Sequence, residues 1–402
     1  MAILVEVEER DLVRLTKEQL DVLKSNFGVD RIWSFSRLNV AHQCLPEYFH
    51  TYILHDIPRS GNVYTEFGTY SHNLIQDLIQ KSITYSAMGK KWDELVESWE
   101  RNPNAYQFDN DKIKNGYINN LRHYFNHTQV PAGTNFEIEK PVLAKIGEKD
   151  NGKPKYVFVG YVDTQYIDED GNTVLVDYKT SSKSSFSKAK LPEKSRQLML
   201  YAIAKHQHNH IPYDKIRCMF DMMKYVTVHY KQENGKWNTS VQERARWVSK
   251  MGKKLLTKLK KQGYSKEKAD ELVQVAVLSN SLENLPGEVQ EQFLLENYVI
   301  DIPIDQEKCE KLAKQIESDC DSLVEFEDMT QEQQESYLEA NHPYNPDNYY
   351  DKKLCAWHTS QKFKEQEKAL DDILEPQLVD ISDEQYLDQL FSEDDVTAEL
   401  FS

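Results

Sequence analysis

Apolar residues three and four apart mark the first third of the chain, and after about residue 135 they give way to runs of Val, Ile, Tyr and Phe with strand spacing. Thr16 precedes KEQLDVLKSNFG, a short helical pattern that Gly28 closes. Ser34 or Ser36 can cap a helix through RLNVAHQCLPEYFHTYIL, where Pro46 predicts a kink or break. Phe67, Leu74, Ile75, Leu78 and Ile79 share one face of a helix expected over 64–85, and a further helical stretch is expected over 92–125. Residues 136–145 (FEIEKPVLAK), 156–167 (YVFVGYVDTQYI) and 173–180 (TVLVDYKT) read as strands. Asp168-Glu169-Asp170-Gly171-Asn172 is a turn sequence that should join the last two as a hairpin. A helix over 193–208, a strand pair over 215–230, a helical and basic stretch over 241–296, a strand over 298–304 and a helix over 306–323 follow. An irregular stretch, NHPYNPDNYYDKK, then leads to Cys355. Strands followed by a helix and more strands predict an α/β core with a mixed sheet flanked by helices. The expected organisation is an N-terminal extension over 1–30, a main domain over 31–365 with a helical N-terminal region and a basic helical insertion at 241–296, and an acidic, disordered tail over 366–402.

The hairpin brings chemistry with it. With Glu169-Asp170-Gly171 as a three-residue loop, Asp163 faces Asp177 across the strands, with Cβ atoms roughly 4.5–5.5 Å apart. Two carboxylates at that separation repel unless a proton or a cation sits between them. Lys179 lies two residues beyond Asp177 and therefore on the same face. Oxygen ligands of this kind suit Mg²⁺ or Mn²⁺. An exposed hairpin with two acids and a lysine gives the same spacing, although Asp177 lies among Val174, Leu175, Val176 and Tyr178, where a solvated residue is not expected. On spacing alone both readings stay open.

Gly160-Tyr161-Val162-Asp163, then Val176-Asp177-Tyr178-Lys179-Thr180, then Gln197-Leu198-Met199-Leu200-Tyr201 closely resemble the G-x-x-D, D-Y-K-T and Q-x-x-x-Y motifs of RecB-like exonucleases of the PD-(D/E)XK nuclease superfamily. Upstream, Ser34-Phe35-Ser36-Arg37-Leu38 with Cys44 and Tyr48 resembles their opening helix, and Gly68-Thr69-Tyr70-Ser71-His72 resembles the motif that brings a histidine to the metal. The motifs run in matching order from about residue 34 to 201. The resemblance implies a restriction-endonuclease-like core in which His72, Asp163, Asp177 and the Tyr178 carbonyl hold Mg²⁺ or Mn²⁺. It also implies that Lys179 acts on the attacking water, with Gln197 and Tyr201 supporting the site from the next helix. By themselves, His72 could be a solvated helix residue, and Gln197 and Tyr201 ordinary packing at i and i+4. The chain departs from those relatives that carry an iron–sulfur cluster. Cys44 and Cys355 match the first two cluster positions, but His358 stands where the next cysteine belongs and no cysteine follows. A four-cysteine cluster is therefore not expected, and Cys44 reads as a core residue.

A net charge of −17 is unusual for a protein that binds DNA. Eleven of the 66 acidic residues lie from Asp371 onward, where there is no Lys or Arg; without them, 55 acidic face 49 basic residues, a net of −6. The remainder can carry basic patches. Lys183, Lys188, Lys190, Lys194 and Arg196 follow the D-Y-K-T motif, and Lys250, Lys254 and Lys261 lie in the basic segment that runs from Arg244 to Lys268 around an apolar stripe of Val248, Met251, Leu255 and Leu259. A lysine-rich face can equally be merely solvated. The tail's QYLDQLF loosely resembles sliding-clamp-binding peptides, which makes a clamp or another replication or recombination protein a candidate partner; a tail that mimics DNA is the alternative. Five scattered cysteines, no signal-peptide pattern and no membrane-length apolar run point to a cytoplasmic protein without a membrane partner.

The expected activity is hydrolysis of DNA phosphodiesters, as an exonuclease in recombination, repair or phage-type replication. A catalytically silent DNA-binding scaffold and a structure-specific endonuclease are the rivals. Retention of Asp163, Asp177 and Lys179 argues against the first, and a phosphate-binding G-x-x-x-x-G-K-[ST] loop for ATP-driven unwinding is not found.

Overall fold

The computed structural model describes residues 14–57, 61–128 and 130–378. The helices are α1 (Lys17–Phe27), α2 (Phe35–Gln43), α3 (Leu45–Tyr48), α4 (Val63–Ile79), α5 (Tyr85–Arg101), α6 (Asp111–His127), α7 (Leu191–Lys194), α8 (Arg196–Asn209), α9 (Trp247–Lys261), α10 (Lys266–Ser279), α11 (Gly287–Gln290), α12 (Gln306–Glu327), α13 (Gln331–Asn341), α14 (Tyr349–Lys353) and α15 (Gln361–Leu378). The strands are β1 (Thr134–Glu148), β2 (Pro154–Ile167), β3 (Thr173–Lys179), β4 (Ile216–Lys231), β5 (Trp237–Glu243) and β6 (Phe293–Ile302). None of the described helices is long and apolar enough to cross a membrane. The chain divides into two compact units: the described residues of Met1–Phe35 with Gly61–Asp321, and those of Ser36–Ser60 with Ser322–Ser402.

The first unit is a mixed six-stranded sheet with helices packed on it, the α/β architecture the sequence predicts. β1, β2 and β3 form an antiparallel meander, and β3 then pairs in parallel with β4. The parallel step needs a crossover, which α7 and α8 supply. β4 is shared along its length: β3 pairs with its first half, β5 with its second, and β6 runs antiparallel along both. At the meander's tight turn, Gly171 takes φ +75, a left-handed conformation that a side chain would strain. That turn sets Ile167 opposite Thr173 and Thr164 opposite Val176.

β3 is buried on both faces, so its run of apolar residues is unbroken except where Asp177 intervenes. Val174, Val176 and Tyr178 face a core that Phe67 of α4, Trp92 and Trp99 of α5, and Tyr117 of α6 complete. Leu175, Asp177 and Lys179 alternate onto the opposite face. Phe67 is fully buried, with its ring 5.5 Å from that of Trp92, 5.1 Å from Trp99 and 5.9 Å from Tyr117.

Several sequence expectations need correction. The strand pair expected over 215–230 is one strand, β4, because IRCMFDMMKYVTVHYK contains no Gly, Pro or Asn to turn the chain; the turn comes later, at Gly235 with φ +80. The helix expected over 92–125 is interrupted between Arg101 and Asp111: Pro103 cannot continue α5, and Asn110 caps α6 by accepting from the Ile113 amide. α4 ends at Ile79 rather than at residue 85, and β6 begins at Phe293 rather than at 298. The acidic stretch expected to be disordered from residue 366 begins inside α15, and the QYLDQLF segment lies outside the described residues.

Removing the Phe67 ring leaves a cavity in the core beneath β3. Phe67→Ala is expected to lower stability by about 3–5 kcal/mol, read as a shift of the urea unfolding midpoint. A loss below about 1 kcal/mol would mean that this cluster does not hold α4 to the sheet.

Candidate active site

The register that the Gly171 turn imposes, carried one residue back from Thr164 and one forward from Val176, puts Asp163 of β2 opposite Asp177 of β3. Asp177 is 7% exposed. Burial, with Asp163 beside it, pushes its carboxyl up to about 6 against the pull of Lys179, whose Nζ is 2.7 Å from Asp177 Oδ2. Burial opposes the Lys179 charge as well, yet Asp177 and Asp163 outweigh it and hold the ammonium above its ordinary pKa. The Tyr178 amide donates to Asp163 Oδ2 at 3.0 Å, which fixes that carboxylate to the neighbouring strand.

His72 reaches the same place from α4. Its Nδ1 is 3.6 Å from Asp163 Oδ2, and its Nε2 is 2.8 Å from the Tyr178 carbonyl oxygen. The imidazole thus bridges a carboxylate and a carbonyl. Gly68, one turn before His72, lies beside Thr180, whose Oγ1 would sit 3.8 Å from an added Cβ, an ordinary contact. On α8, Gln197 Nε2 donates to Tyr201 Oη at 2.8 Å. Tyr201 lies against β2 at Gly160, where an added Cβ would fall 2.3 Å from Tyr201 Cε1. Burial raises the Tyr201 phenol above its ordinary pKa, so it stays a neutral hydroxyl.

The donor set is two carboxylates, a backbone carbonyl and an imidazole, the oxygen-rich mixture that Mg²⁺ or Mn²⁺ accepts. The 2.8 Å between His72 Nε2 and the Tyr178 oxygen is also close to the spacing of about 3 Å between adjacent ligands on an octahedral ion with bonds near 2.1 Å. The residues present therefore fit such an ion. A cavity of about 1300 Å³ lined by Leu23, Phe27, Pro141 and Ala204 holds none of these groups, so volume does not locate the chemistry.

Of the cations singled out in the sequence, Lys188, Lys190, Lys250 and Lys261 are exposed, and Lys183 and Lys194 half-buried. Lys183 Nζ lies over the rings of Tyr225 and Tyr298, 6.0 and 5.8 Å from their centroids. Lys254 lies over Tyr230 at 4.5 Å, and Lys261 pairs with Glu233 at 3.2 Å. Arg196 is a correction: it is 6% exposed and ion-paired with Asp319, so it braces α8 and is not a surface cation. Arg244, at the start of the basic segment, is likewise buried and donates to Asn297 Oδ1 at 2.6 Å.

Sequence reasoning missed Glu139. It lies on β1 between Ile138, which faces Thr164, and Lys140, which faces Val162, and so stands beside Asp163 in the sheet. Its φ of +48 is unusual for a glutamate. Gln76, one helical turn beyond His72, donates to its Oε1 at 3.2 Å. Burial first, then Asp177, raises its pKa against His72 and Arg14. The available signal was a charged residue inside the strand FEIEKPV.

In comparisons with known proteins, a family model described as the PD-(D/E)XK nuclease superfamily matches residues 32–355, a span that includes every residue of this site. No curated protein matches the chain.

The raised Asp177 pKa predicts how the metal-free protein responds to pH. Below 3.8 both folded and unfolded chains carry a protonated Asp177; between 3.8 and about 6 the unfolded chain ionises first, so this residue's contribution to stability falls as pH rises. Asp177→Asn cannot ionise. Its Tm relative to wild type should therefore rise between about pH 4 and about pH 7 in chelator. An unchanged difference across that range would mean that Asp177 is solvated.

Proposed function

Because the chain belongs to the PD-(D/E)XK nuclease superfamily, we propose that it is a metal-dependent deoxyribonuclease of the RecB-like branch, cytoplasmic and acting from DNA ends in recombination, repair or replication. The superfamily hydrolyses nucleic-acid phosphodiesters and generally uses divalent ions, so nucleic acid is its partner. The observation that carries the finer reading is the convergence of Asp163, Asp177 and His72 with Lys179, whose Nζ is held 2.7 Å from Asp177.

Asp163, Asp177, His72 and the Tyr178 carbonyl would hold Mg²⁺ or Mn²⁺. When bound, such an ion lowers the pKa of a water and offsets charge on the phosphate. Lys179 stays protonated at neutral pH, and its ammonium donates toward the water or a phosphate oxygen. Asp177 orients that ammonium, and Asp163 is itself oriented by the Tyr178 amide. Tyr201, fixed against Gly160 and hydrogen-bonded by Gln197, presents a neutral hydroxyl on the α8 side. Lys183, Lys188, Lys190 and Lys194 follow the site in sequence, where exposed Lys188 and Lys190 and half-buried Lys183 and Lys194 would meet the phosphate backbone of the strand being cut. Lys250, Lys254 and Lys261 on α9 would extend that contact.

The test is degradation of end-labelled linear and covalently closed DNA, single- and double-stranded, with Mg²⁺, Mn²⁺ or EDTA. Wild type should degrade the linear substrates with metal and spare closed circles. Asp177→Ala and Lys179→Ala should each lose at least about 100-fold in rate, on the scale of removing a charge-stabilising catalytic group. Cutting of closed circles would replace the exonuclease reading with an endonuclease. Binding without cleavage, equal in wild type and both variants, would leave a DNA-binding scaffold.

A further inference from the structure

Outside the site above, one group of side chains in the second compact unit has the composition of a metal centre. Cys44, at the start of α3, and Cys355 and His358, in the turn between α14 and α15, come together although Cys44 and Cys355 are 311 residues apart in the chain. One ligand atom from each lies within 4.8 Å of the other two, and all three residues are buried. We propose that Cys44, Cys355 and His358 bind a single zinc ion that fastens the segment around Cys44 to the segment around Cys355.

The geometry needs little adjustment. The Cys44 and Cys355 sulfurs are 3.1 Å apart; two thiolates on one tetrahedral zinc with bonds near 2.3 Å stand about 3.8 Å apart, so the pair has to open by less than an ångström. Cys355 and His358 are three residues apart on a turn, and the His358 amide points at Cys355 Sγ from 3.5 Å. That contact suits a sulfur carrying negative charge better than a neutral thiol. His358 is 7% exposed, and its Nδ1 has no hydrogen-bond partner, an arrangement that a buried imidazole seldom keeps without a ligand. Asp351 Oδ1 stands 3.7 Å from that Nδ1, beyond hydrogen-bond distance. Glu47, three residues beyond Cys44 and accepting from Tyr350 Oη at 3.0 Å, or a water, is available for the fourth position.

The donors select the metal. Two sulfurs and an imidazole favour zinc and disfavour the oxygen-seeking ions that suit Asp163 and Asp177. Two thiolates also cancel the charge of the ion, which permits burial. A role in stability follows from the surroundings: the buried members of the apolar cluster here are Cys44, Ile57, Cys355, Ala356 and Trp357, with Tyr350 and Phe363 partly buried against them. A cluster of this size gains from a cross-link between distant segments.

The experiment is metal analysis of the full-length protein, purified without added metal and passed over a chelating resin. Wild type should carry about one zinc per chain, and treatment with a mercurial that blocks thiols should release it in step with two cysteines. Asp177→Ala and Cys218→Ser should keep the zinc, the first separating this site from the proposed catalytic one and the second from an unrelated buried cysteine. Cys355→Ser and His358→Ala should lower zinc content at least five-fold and lower Tm; the mercurial titration of wild type decides the matter if either variant fails to fold. Wild type without zinc, zinc that survives in Cys355→Ser, iron with acid-labile sulfide in its place, or a disulfide between Cys44 and Cys355 would each overturn the proposal.

Discussion

Two carboxylates are held side by side on adjacent strands of a largely apolar sheet, and the rest of the candidate active site is arranged around the cost of that pairing. Asp177 lies in the interior of β3, where burial and Asp163 both work against its charge. Lys179 answers part of the cost from the same strand, and the Tyr178 amide answers part of it for Asp163. His72 arrives from α4, which the aromatic cluster under β3 holds in place. Because side chains alternate along a strand, a slip of one residue between β2 and β3 would send one of the two carboxylates to the opposite face. The left-handed Gly171 turn prevents that slip, so a backbone conformation outside the site decides whether the site exists.

The hairpin was legible because its rules are local. A turn with glycine in the left-handed position fixes the register, and the register fixes which residues face one another. Asp163 and Asp177 could be placed from that alone, and period two added Lys179. His72, Gln197 and Tyr201 were reached through resemblance, since nothing local says where a residue on a separate helix will dock. The same limit explains the misread cations. Arg196 and Arg244 sit in basic stretches that look solvated, yet each is buried against a partner far along the chain, Asp319 for one and Asn297 for the other. Glu139 passed for an ordinary strand residue because its neighbours Gln76 and His72 lie on α4. β4 was split in two by expectation alone, whereas the chain offers no turn before Gly235.

The cysteines carry the same lesson at longer range. Read in order, Cys44 and Cys355 with His358 argue against a four-cysteine cluster, and that reasoning led no further. Folded, they form a compact, buried group of two sulfurs and an imidazole. The two candidate metal sites then differ in kind. One is made mainly of oxygen donors, with one imidazole, beside a lysine; the other is made of sulfur and nitrogen and is enclosed. Hard and soft donors thus favour different ions at the two candidate sites.

The pairing of Asp163 with Asp177 is proposed to hold a divalent ion. The most direct measurement is anomalous scattering from crystals of the protein grown or soaked with Mn²⁺. The account predicts a manganese peak in contact with Asp163, Asp177, His72 and the Tyr178 carbonyl, with Lys179 beside it. Crystals saturated with Mn²⁺ that show no peak there, with Lys179 still paired to Asp177, would contradict it.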